Sequence, residues 1–254
     1  MTRVIKVGGR AQAAPGLALK IADAWDAQTR SLVLVHGGGG EVTALQEAFG
    51  TTPEFVDGIR VTTERDMEFV RMVLSGSANK RLVSSLVREG VRAVGLSGED
   101  ASLIAATPTR AQGLGHVGDP QRVNPSLLWH LLDGGYLPVI SPVSRNVGLE
   151  LGPALNVNGD DAAAALAAAL EATELLFVSD VPGVLVGDQV VPSLSVTDAR
   201  KLINGGEATA GMAAKLRAAV TAVSNGVTQA RIGDLSAIAD ERRGTTVTMT
   251  GSAK

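Results

Sequence analysis

The sequence predicts an α/β protein in which helices cover both faces of an open, mainly parallel central sheet, as a three-layer α/β/α sandwich. Short apolar runs alternate with amphipathic stretches along most of the 254 residues. Parallel neighbouring strands need a crossover connection, usually a helix, so this alternation favours parallel pairing. Apolar residues make up 45% of the chain and aromatic residues only 3%. A core of small aliphatic side chains suits close packing of helices on such a sheet.

The apolar runs and the helical patterns follow one another in chain order. Strands are predicted at residues 4–7, 31–36, 92–96, 137–141, 175–179, 229–232 and 246–249. Helices are predicted between them at residues 15–27, 41–49, 63–75, 77–89, 125–132, 160–172, 196–203 and 212–224. Two stretches interrupt the order: residues 183–191, a predicted β-hairpin turning at Gly187-Asp188, and the glycine-dotted segment 107–120. No linker divides the chain, so residues 1–254 are expected to form one domain.

Composition argues against several classes of function. The net charge is −3 and no basic block occurs, which argues against nucleic-acid binding. The absence of cysteine excludes a disulfide framework, a thiolate zinc site and a cysteine nucleophile. No apolar run reaches the roughly 18 residues of a membrane helix. The first predicted strand begins at Val4, so no secretory leader is expected, and we expect a cytoplasmic protein with no membrane partner.

Three glycine-rich loops follow predicted strands, at residues 6–9, 36–40 and 95–98. Ligands of open parallel sheets collect at the carboxyl ends of strands. Consecutive glycines let backbone N–H groups point at one anion, and the helix predicted from Glu41 adds its N-terminal dipole. This arrangement suits phosphoryl transfer, although a flexible turn is the alternative. Neither a Walker A loop nor a Gly-x-Gly-x-x-Gly dinucleotide motif is present.

Two lysines and an aspartate are candidates for charge stabilisation. Lys6 lies inside an apolar strand, where it either extends to the sheet edge or points its ammonium into the crevice. Lys215 is predicted on the first turn of a helix, where it opposes the helix dipole unless a polyphosphate binds; a solvated surface lysine is the alternative. Asp160 belongs to a run of Asn and Asp before a helix. One such residue suffices as a cap, so Asp160 could hold two lysines while Asp161 caps the helix.

Arg60 lies in a predicted loop, and its planar guanidinium matches a carboxylate with two parallel hydrogen bonds. It could therefore bind a substrate carboxylate, or form a surface ion pair with Asp57 or Glu64. His36 follows a strand and fits a packed, hydrogen-bonded role as well as a general base. The histidines, aspartates and glutamates show no metal-ligand spacing.

Taken together, these segments resemble the amino acid kinase family, and within it the enzymes that phosphorylate N-acetyl-L-glutamate. The matching stretches are 6–9 (KVGG), 35–39 (VHGGG), 57–62 (DGIRVT), 78–80 (ANK), 95–98 (GLSG), 115–118 (GHVG), 135–139 (GYLPV), 156–160 (NVNGD), 179–183 (SDVPG), 211–215 (GMAAK) and 244–245 (GT). Each stretch is weak alone, but their order and spacing are specific. The resemblance implies the amino acid kinase fold and transfer of the ATP γ-phosphoryl group to the γ-carboxylate of N-acetyl-L-glutamate, a step in arginine biosynthesis.

The resemblance also implies roles for individual residues. Lys6 and Lys215 would stabilise the transferring phosphoryl group, and Asp160 would orient them. The backbone amides of Gly8, Gly38 and Gly39 would hold phosphate oxygens. The substrate carboxylate, ionised at neutral pH, would be the nucleophile, so no general base is needed.

Substrate and nucleotide are expected in different parts of the chain. An acyl-amino-acid lobe is expected at about residues 1–172 and a nucleotide lobe at about 173–254. Arg60 and Asn156, with Gly38 and Gly39, would bind the acylated amino acid. The nucleotide, ATP with Mg²⁺, would be bound by Lys6, Gly8, Gly9, Ser179, Asp180, Thr209, Gly211, Met212 and Lys215.

Some features depart from the family pattern, and other readings stay open. Gly159 and Asp161 stand where the family more often has Ala and Thr. The chain lacks the extra N-terminal helix of arginine-inhibited hexameric relatives, which implies an arginine-insensitive homodimer joined through a helix such as 63–75. N-succinylglutamate, or an aminoadipate or glutamate on an acidic carrier protein, is an alternative acceptor. A non-catalytic sensor of amino acids or nucleotides is the alternative from another class.

Overall fold

A single eleven-stranded sheet forms the centre of the protein. The computed structural model describes residues 2–27, 31–148, 152–187, 189–208 and 210–251. The strand order is β13-β15-β14-β10-β1-β2-β8-β6-β7-β9, with β5 also paired to β8. The strands are β1 Arg3–Val7, β2 Leu32–His36, β5 Ala93–Gly98, β6 Ile104–Pro108, β7 Val117–Val123, β8 Leu137–Asn146, β9 Leu155–Val157, β10 Glu174–Val178, β13 Ser193–Ser195, β14 Gln229–Gly233 and β15 Thr245–Thr248.

Most pairs in this sheet are parallel, and only the pairs β6–β7, β8–β9 and β14–β15 are antiparallel among the described residues. The mainly parallel sheet is therefore confirmed. Two small hairpins lie outside it: β3 Phe55–Val56 with β4 Ile59–Arg60, and β11 Leu185–Val186 with β12 Gln189–Val190. The second is the predicted hairpin, whose turn residue Asp188 lies outside the described residues.

Helices cover both faces of the sheet, as predicted. Alternation along β1 shows the layers: Val4 packs in the core beneath α6 and α8, whereas Ile5 and Val7 pack beneath α1 and α4. The helices are α1 Leu17–Ala27, α2 Gly39–Ala48, α3 Glu64–Val70, α4 Asn79–Arg88, α5 Ser126–Asp133, α6 Gly159–Ala169, α7 Val196–Asn204 and α8 Ala210–Ser224. Lys6, two residues after Val4, shares the face of α6 and α8 at the carboxyl end of β1.

The structure differs from the predicted elements in several places, among them the short strands β3, β4, β9 and β13, which were not predicted. Residues 64–88 form one continuous helical segment, with π-helical Arg71–Ala78 between α3 and α4, so Gly76 does not end a helix. β6 and β7 extend into the two ends of the glycine-dotted stretch. β7 was not predicted because it is polar and carries Pro120, and so lacks an apolar alternation. α8 begins two residues earlier than predicted, which places Lys215 on its second turn rather than its first.

In the part of the chain that the structure describes, none of the helices has both the length and the apolar character needed to cross a membrane.

Candidate active site

Two cavities lie beside each other at the carboxyl ends of the central strands. The first, about 250 Å³, is lined by the glycines after β1 and β2, by Arg60 and by the start of α6, including Asp160. The second, about 270 Å³, is lined by the residues after β10 and by the start of α8, including Lys215. Larger cavities between α1 and α4 and between β7 and α6 hold neither lysine. The paired cavities are therefore the candidate site.

Asp160 joins the two cavities by contacting both lysines. Its Oδ1 lies 2.6 Å from Lys6 Nζ, and its Oδ2 lies 3.6 Å from Lys215 Nζ. All three side chains are largely buried, with 7% of Asp160, 8% of Lys6 and 16% of Lys215 exposed. β1, α6 and α8 carry these three groups, which come from distant parts of the chain. The structure thus brings together the three residues that the sequence singled out for charge stabilisation.

The mutual charges of Lys6, Asp160 and Lys215 shift the pKa values of Asp160 and Lys215. Burial opposes ionisation of Asp160, but the adjacent charges of Lys6 and Lys215 hold the pKa of Asp160 below its ordinary value. Burial, together with the charge of Lys6, lowers the pKa of Lys215, although Asp160 opposes that shift. With both lysines protonated and Asp160 ionised, the group carries one net positive charge. It is suited to a negatively charged ligand.

The predicted helix cap at Asp161 is wrong. The N-cap of α6 is Asn158, whose side-chain oxygen accepts a hydrogen bond from the Asp160 N–H at 2.8 Å. Among the described residues, Asp161 forms no ion pair with a lysine. Desolvation of its carboxyl group, together with the charges of Asp160 and Asp119, raises its pKa to about 6. The cap frees Asp160 to face the lysines.

The two glycine loops meet face to face. A Cβ built on Gly9 would lie 3.4 Å from the Gly38 nitrogen and 3.7 Å from the Gly39 nitrogen. Gly38 has φ +152°, and a Cβ there would lie 2.8 Å from Leu74 Cδ2, so this position needs glycine. Among the described residues, the N–H groups of Gly9, Gly38 and Gly39 have no hydrogen-bond partner. They are available to an anion.

The expected role of the Gly8 amide needs correction. Its N–H donates to Val178 O at 3.1 Å, which continues the parallel pairing of β1 with β10 beyond the end of the strand. That donor is therefore occupied, and Gly8 contributes a close approach of the backbone rather than a hydrogen bond. The free amide of the first loop is the one belonging to Gly9.

Arg60 is buried in the first cavity rather than paired with Asp57 or Glu64. Its Nη2 donates to Gly39 O and to Thr43 Oγ1, each at 2.7 Å, and its Nη1 donates to Gln46 Oε1. Gln46 Nε2 in turn donates to Asp66 at 2.7 Å. Burial lowers the pKa of Arg60, with Asp66 opposing, yet arginine stays charged at neutral pH. Its other two N–H groups, one on Nε and one on Nη1, have no hydrogen-bond partner among the described residues and can donate to a ligand.

Asn156 lines the same cavity as Arg60 and the glycine loops. Its Nδ2 donates to Thr62 Oγ1 at 3.0 Å, and the Thr62 hydroxyl donates to Arg60 O at 3.0 Å. This chain ties Asn156 to the strand that carries Arg60. The two residues predicted to bind the acylated amino acid therefore share one cavity and one hydrogen-bond network.

The second cavity gathers most of the residues predicted to bind the nucleotide. They are Ser179, Asp180, Gly211, Met212 and Lys215. Thr209 lies outside the described residues. Arg10, which was not among the predicted site residues, also lines this cavity and forms an ion pair with Asp180 at 2.8 Å. Both partners are substantially exposed, so the pair contributes little to stability and is open to a ligand.

His36 is a structural residue and not a base. It is fully buried, and burial lowers its pKa to about 4 despite a hydrogen bond to Gly37 O. Its partner Asn79, the Arg60 partner Gln46 and the loop contact Gln12 were not predicted. Each is an uncharged polar side chain whose partner is at least 14 residues away along the chain, so no local pattern reveals it.

Comparison with known proteins agrees with this geometry. The model of the amino acid kinase family matches residues 1–234. The chain belongs to the amino acid kinase family, a family of phosphotransferases. It is 44% identical over 239 residues to the acetylglutamate kinase of Chloroflexus aggregans, covering 93% of each chain. It is 42% identical over 255 residues to that of Methanopyrus kandleri, covering 96% of this chain and 99% of the relative.

Solved structures share the fold. A crystal structure of a Streptococcus mutans UA159 protein superposes with a TM-score of 0.86 at 29% identity, covering 98% of each chain. The N-acetylglutamate synthase of Neisseria gonorrhoeae gives a TM-score of 0.80 at 24% identity, covering 97% of this chain and 59% of the other. Giardia carbamate kinase gives 0.69 at 17% identity and covers 98% of each chain. The last two similarities concern the fold alone.

Proposed function

We propose that this protein transfers the γ-phosphoryl group of ATP to the γ-carboxylate of N-acetyl-L-glutamate, as a step in arginine biosynthesis. The observation that carries the proposal is the bridge of Lys6, Asp160 and Lys215 between two cavities. One cavity offers Arg60 and Asn156 to an acylated amino acid. The other offers Ser179 and the start of α8 to a nucleotide.

The transfer is an in-line displacement at phosphorus. A γ-carboxylate oxygen forms a bond to the γ-phosphorus while the bond to the β–γ bridging oxygen breaks, which yields an acyl phosphate and ADP. Negative charge spreads over the equatorial oxygens of the transferring group. The ammonium groups of Lys6 and Lys215 stabilise that charge from opposite cavities, and the amides of Gly9, Gly38 and Gly39 add donors.

No proton has to be removed, because the carboxylate is ionised at neutral pH. This agrees with the neutral, fully bonded state of His36. Catalysis then consists of positioning and charge neutralisation. Asp160 contributes by keeping two like charges close together in the free enzyme.

Mg²⁺ would enter with ATP, since proteins usually bind it through substrate phosphates and one or two carboxylates. Asp180 and Glu207 both line the nucleotide cavity and are the carboxylates available to the ion there. In the described ranges, no three His, Cys, Asp or Glu residues group together as a metal site. The ion would supply further neutralisation of phosphate charge.

The two cavities support the division into lobes at about residue 172. The residues that line the acceptor cavity all lie between positions 6 and 160. Those that line the nucleotide cavity lie between positions 179 and 215, with the exception of Arg10. We also propose a cytoplasmic homodimer joined through helical segment 64–88. The exposed side chains of Met72 (51%) and Val87 (54%) are apolar surface on this segment that the interface would cover. Light scattering of the purified protein should give the mass of two chains, and a mass of one chain would contradict the dimer.

The acceptor is tested by measuring ADP release with N-acetylglutamate, N-succinylglutamate, glutamate, aspartate and carbamate side by side. N-acetylglutamate should give the highest kcat/KM, and hydroxylamine should trap its product as a hydroxamate. Lys6→Ala, measured in parallel, controls for contaminating kinases. A higher kcat/KM with another acceptor, or no acceptor-dependent ADP release, would refute the proposal.

A further inference from the structure

The carbonyl oxygen of Gly37 receives two side-chain hydrogen bonds. Gln12 Nε2 donates to it at 2.7 Å, and His36 Nδ1 lies 2.8 Å from it. Gln12 is itself held by the first glycine loop, because its backbone N–H bonds Gly8 O and Gly9 O at 3.2 and 3.3 Å. One residue therefore connects both glycine loops. Two donors on one carbonyl fix the orientation of its peptide unit.

The network of Asn79 determines which nitrogen of His36 carries the proton. Asn79 Nδ2 lies 3.0 Å from Val139 O, which can only accept, so this atom is the donating NH₂ group. Lys80 Nζ donates to Asn79 Oδ1 at 3.2 Å, in agreement with that assignment. The same NH₂ group lies 3.1 Å from His36 Nε2, which must therefore accept. The proton consequently resides on Nδ1, which donates to Gly37 O.

The position of Asn79 depends on Gly95. A Cβ on Gly95 would lie 1.9 Å from Asn79 Oδ1, a distance at which the two atoms overlap. Residues 95–98, predicted as a glycine-rich loop, lie within β5, and Gly95 has a role there that needs no contact with phosphate. It leaves space for the amide that sets the protonation of His36.

The consequence appears on the other side of the peptide unit. Because the peptide is planar and trans, its N–H, which belongs to Gly38, points away from its carbonyl oxygen. Gly37 O faces Gln12 and His36, so the Gly38 N–H points to the opposite side of this peptide unit. Gly9, Gly37 and Gly38 all line the acceptor cavity, and a Cβ on Gly9 would lie 3.4 Å from the Gly38 nitrogen. The Gly38 N–H has no partner among the described residues.

We propose that Gln12, His36 and Asn79 are positioning residues that hold the Gly38 N–H toward the transferring phosphoryl group. The inference rests on the proposed function for the identity of the transferred group. A donor fixed in advance costs no reorganisation when charge develops, so its benefit is expressed mainly in kcat. Loss of an orienting hydrogen bond should therefore lower kcat more than it raises KM.

The first test removes the donor of Gln12. Gln12→Met keeps the length of the side chain and should lower kcat about fivefold, with KM for ATP and for the acceptor changed by less than about twofold; a neutral hydrogen bond is worth about this much. An unchanged kcat would refute the role of Gln12. A rise in KM with unchanged kcat would assign it to substrate binding instead.

The second test uses a matched pair at His36. Asn places an amide near the position of Nδ1 and can still donate to Gly37 O, whereas Gln places its amide near the position of Nε2. His36→Asn should keep kcat within about threefold of the parent, and His36→Gln should lose about tenfold or more. Equal losses, with equal melting temperatures, would contradict the positioning role.

A third measurement is independent of the acceptor. Long-range ¹H–¹⁵N spectra of histidine-labelled protein should show His36 neutral at pH 7 with its proton on Nδ1, and the spectrum of His36→Asn assigns the signal. Asn79→Ala should produce a mixture of tautomers. A proton on Nε2 in the parent protein would overturn this inference and leave the proposed function standing. A parent enzyme with the Nδ1 proton and no activity toward any tested acceptor would overturn the proposed function instead.

Discussion

Two buried groups of the same charge pattern lie at opposite ends of β1 and on opposite faces of the sheet. Each has a carboxylate between two cations: Arg3, Glu174 and Arg231 at the amino end, and Lys6, Asp160 and Lys215 at the carboxyl end. We call them the arginine triad and the lysine triad. Both carry one net positive charge inside the protein, so charge and burial alone do not tell a structural group from a functional one.

The difference lies in how the donors are used. Besides Glu174, Arg231 donates to Asp240 O, Arg243 O and Ala237 O at 2.9–3.1 Å, which occupies four of its five N–H groups. Arg3 donates to Ile238 O at 2.9 Å. The arginine triad therefore fastens residues 237–243 to the sheet.

The lysine triad leaves its donors unused. Each ammonium has three N–H groups, and Asp160 is the partner that the described residues provide for both. The spare N–H groups belong to side chains that line the two cavities. Arg3 Nε is also buried without a hydrogen-bond partner among the described residues, and Arg3 lines a separate cavity of about 210 Å³. The contrast therefore rests on Arg231, whose bonds to three backbone oxygens indicate architecture, whereas the spare lysine donors beside two strand-end cavities indicate a ligand site.

The largest effect is expected from a substitution that breaks the arginine triad. Glu174→Gln removes the carboxylate between two buried guanidinium groups and should destabilise the protein by about 3–5 kcal/mol, as the loss of one partner of a buried ion pair does. The kcat of the folded fraction should stay within about twofold of the parent, because the triad lies away from both cavities. Urea unfolding and steady-state kinetics measure the two quantities. A selective loss of kcat would show that the triads are not separate in function.

The complementary change is made in the lysine triad. Lys6→Ala and Lys215→Ala should each lower kcat about 10²-fold or more, since each removes a charge that stabilises the transition state. Lys201→Ala is the matched control, because Lys201 is 73% exposed and pairs only with Asp198 among the described residues. Near-normal turnover in either triad variant, with the control also normal, would refute the assigned roles.

Arg60 lies between these extremes, with three N–H groups bonded to protein and two left. By the same criterion it should bind substrate without stabilising the transferring group. Arg60→Ala should raise KM for the acylated amino acid about tenfold, with a smaller change in KM for ATP, which corresponds to loss of a charge-assisted hydrogen bond. An effect confined to ATP would assign Arg60 to the nucleotide cavity.

The layered sheet follows from local patterns, whereas the joint role of Lys6, Asp160 and Lys215 was implied by the family resemblance, since local patterns left a surface role open for Lys215. Apolar alternation places Lys6 on a defined face of β1, and surplus Asn and Asp residues before α6 indicate that Asp160 has a task beyond capping. The Gly8 amide was assigned wrongly because pairing with Val178 continues past the end of β1. Such pairing depends on the sheet order, which the sequence did not provide.

The remaining misses are contacts between segments distant in the chain. Asn79 and His36 are 43 residues apart, and Gln12 and Gly37 are 25 residues apart. Asn and Gln are also common on protein surfaces, so the residue type alone does not show that these side chains are buried and bonded. The arginine triad escaped notice for the same reason, since Arg3 and Glu174 stand at the starts of predicted strands where charged residues are common. Only the folded arrangement shows which of them are buried.

The smallest expected effect concerns Asp161, the carboxylate beside Asp160 that has no lysine. Partial desolvation of its carboxyl group, together with the charges of Asp160 and Asp119, raises its pKa to about 6, although the residue as a whole keeps an exposed surface. A raised pKa means that the folded state binds the proton more tightly, so stability should increase as the pH falls from 7 through 6 toward 4. The Asp161 side chain is exposed to solvent, which screens the effect and keeps it small. Asp161→Asn should remove this contribution and leave a flatter stability profile between pH 7 and 4.5 than that of the parent.

The lowered pKa of Asp160 acts in the opposite sense, since its contribution is lost only as the pH falls through that lower value. Thermal unfolding at several pH values in that window measures the difference, and parallel profiles for parent and variant would show that folding does not raise the pKa of Asp161.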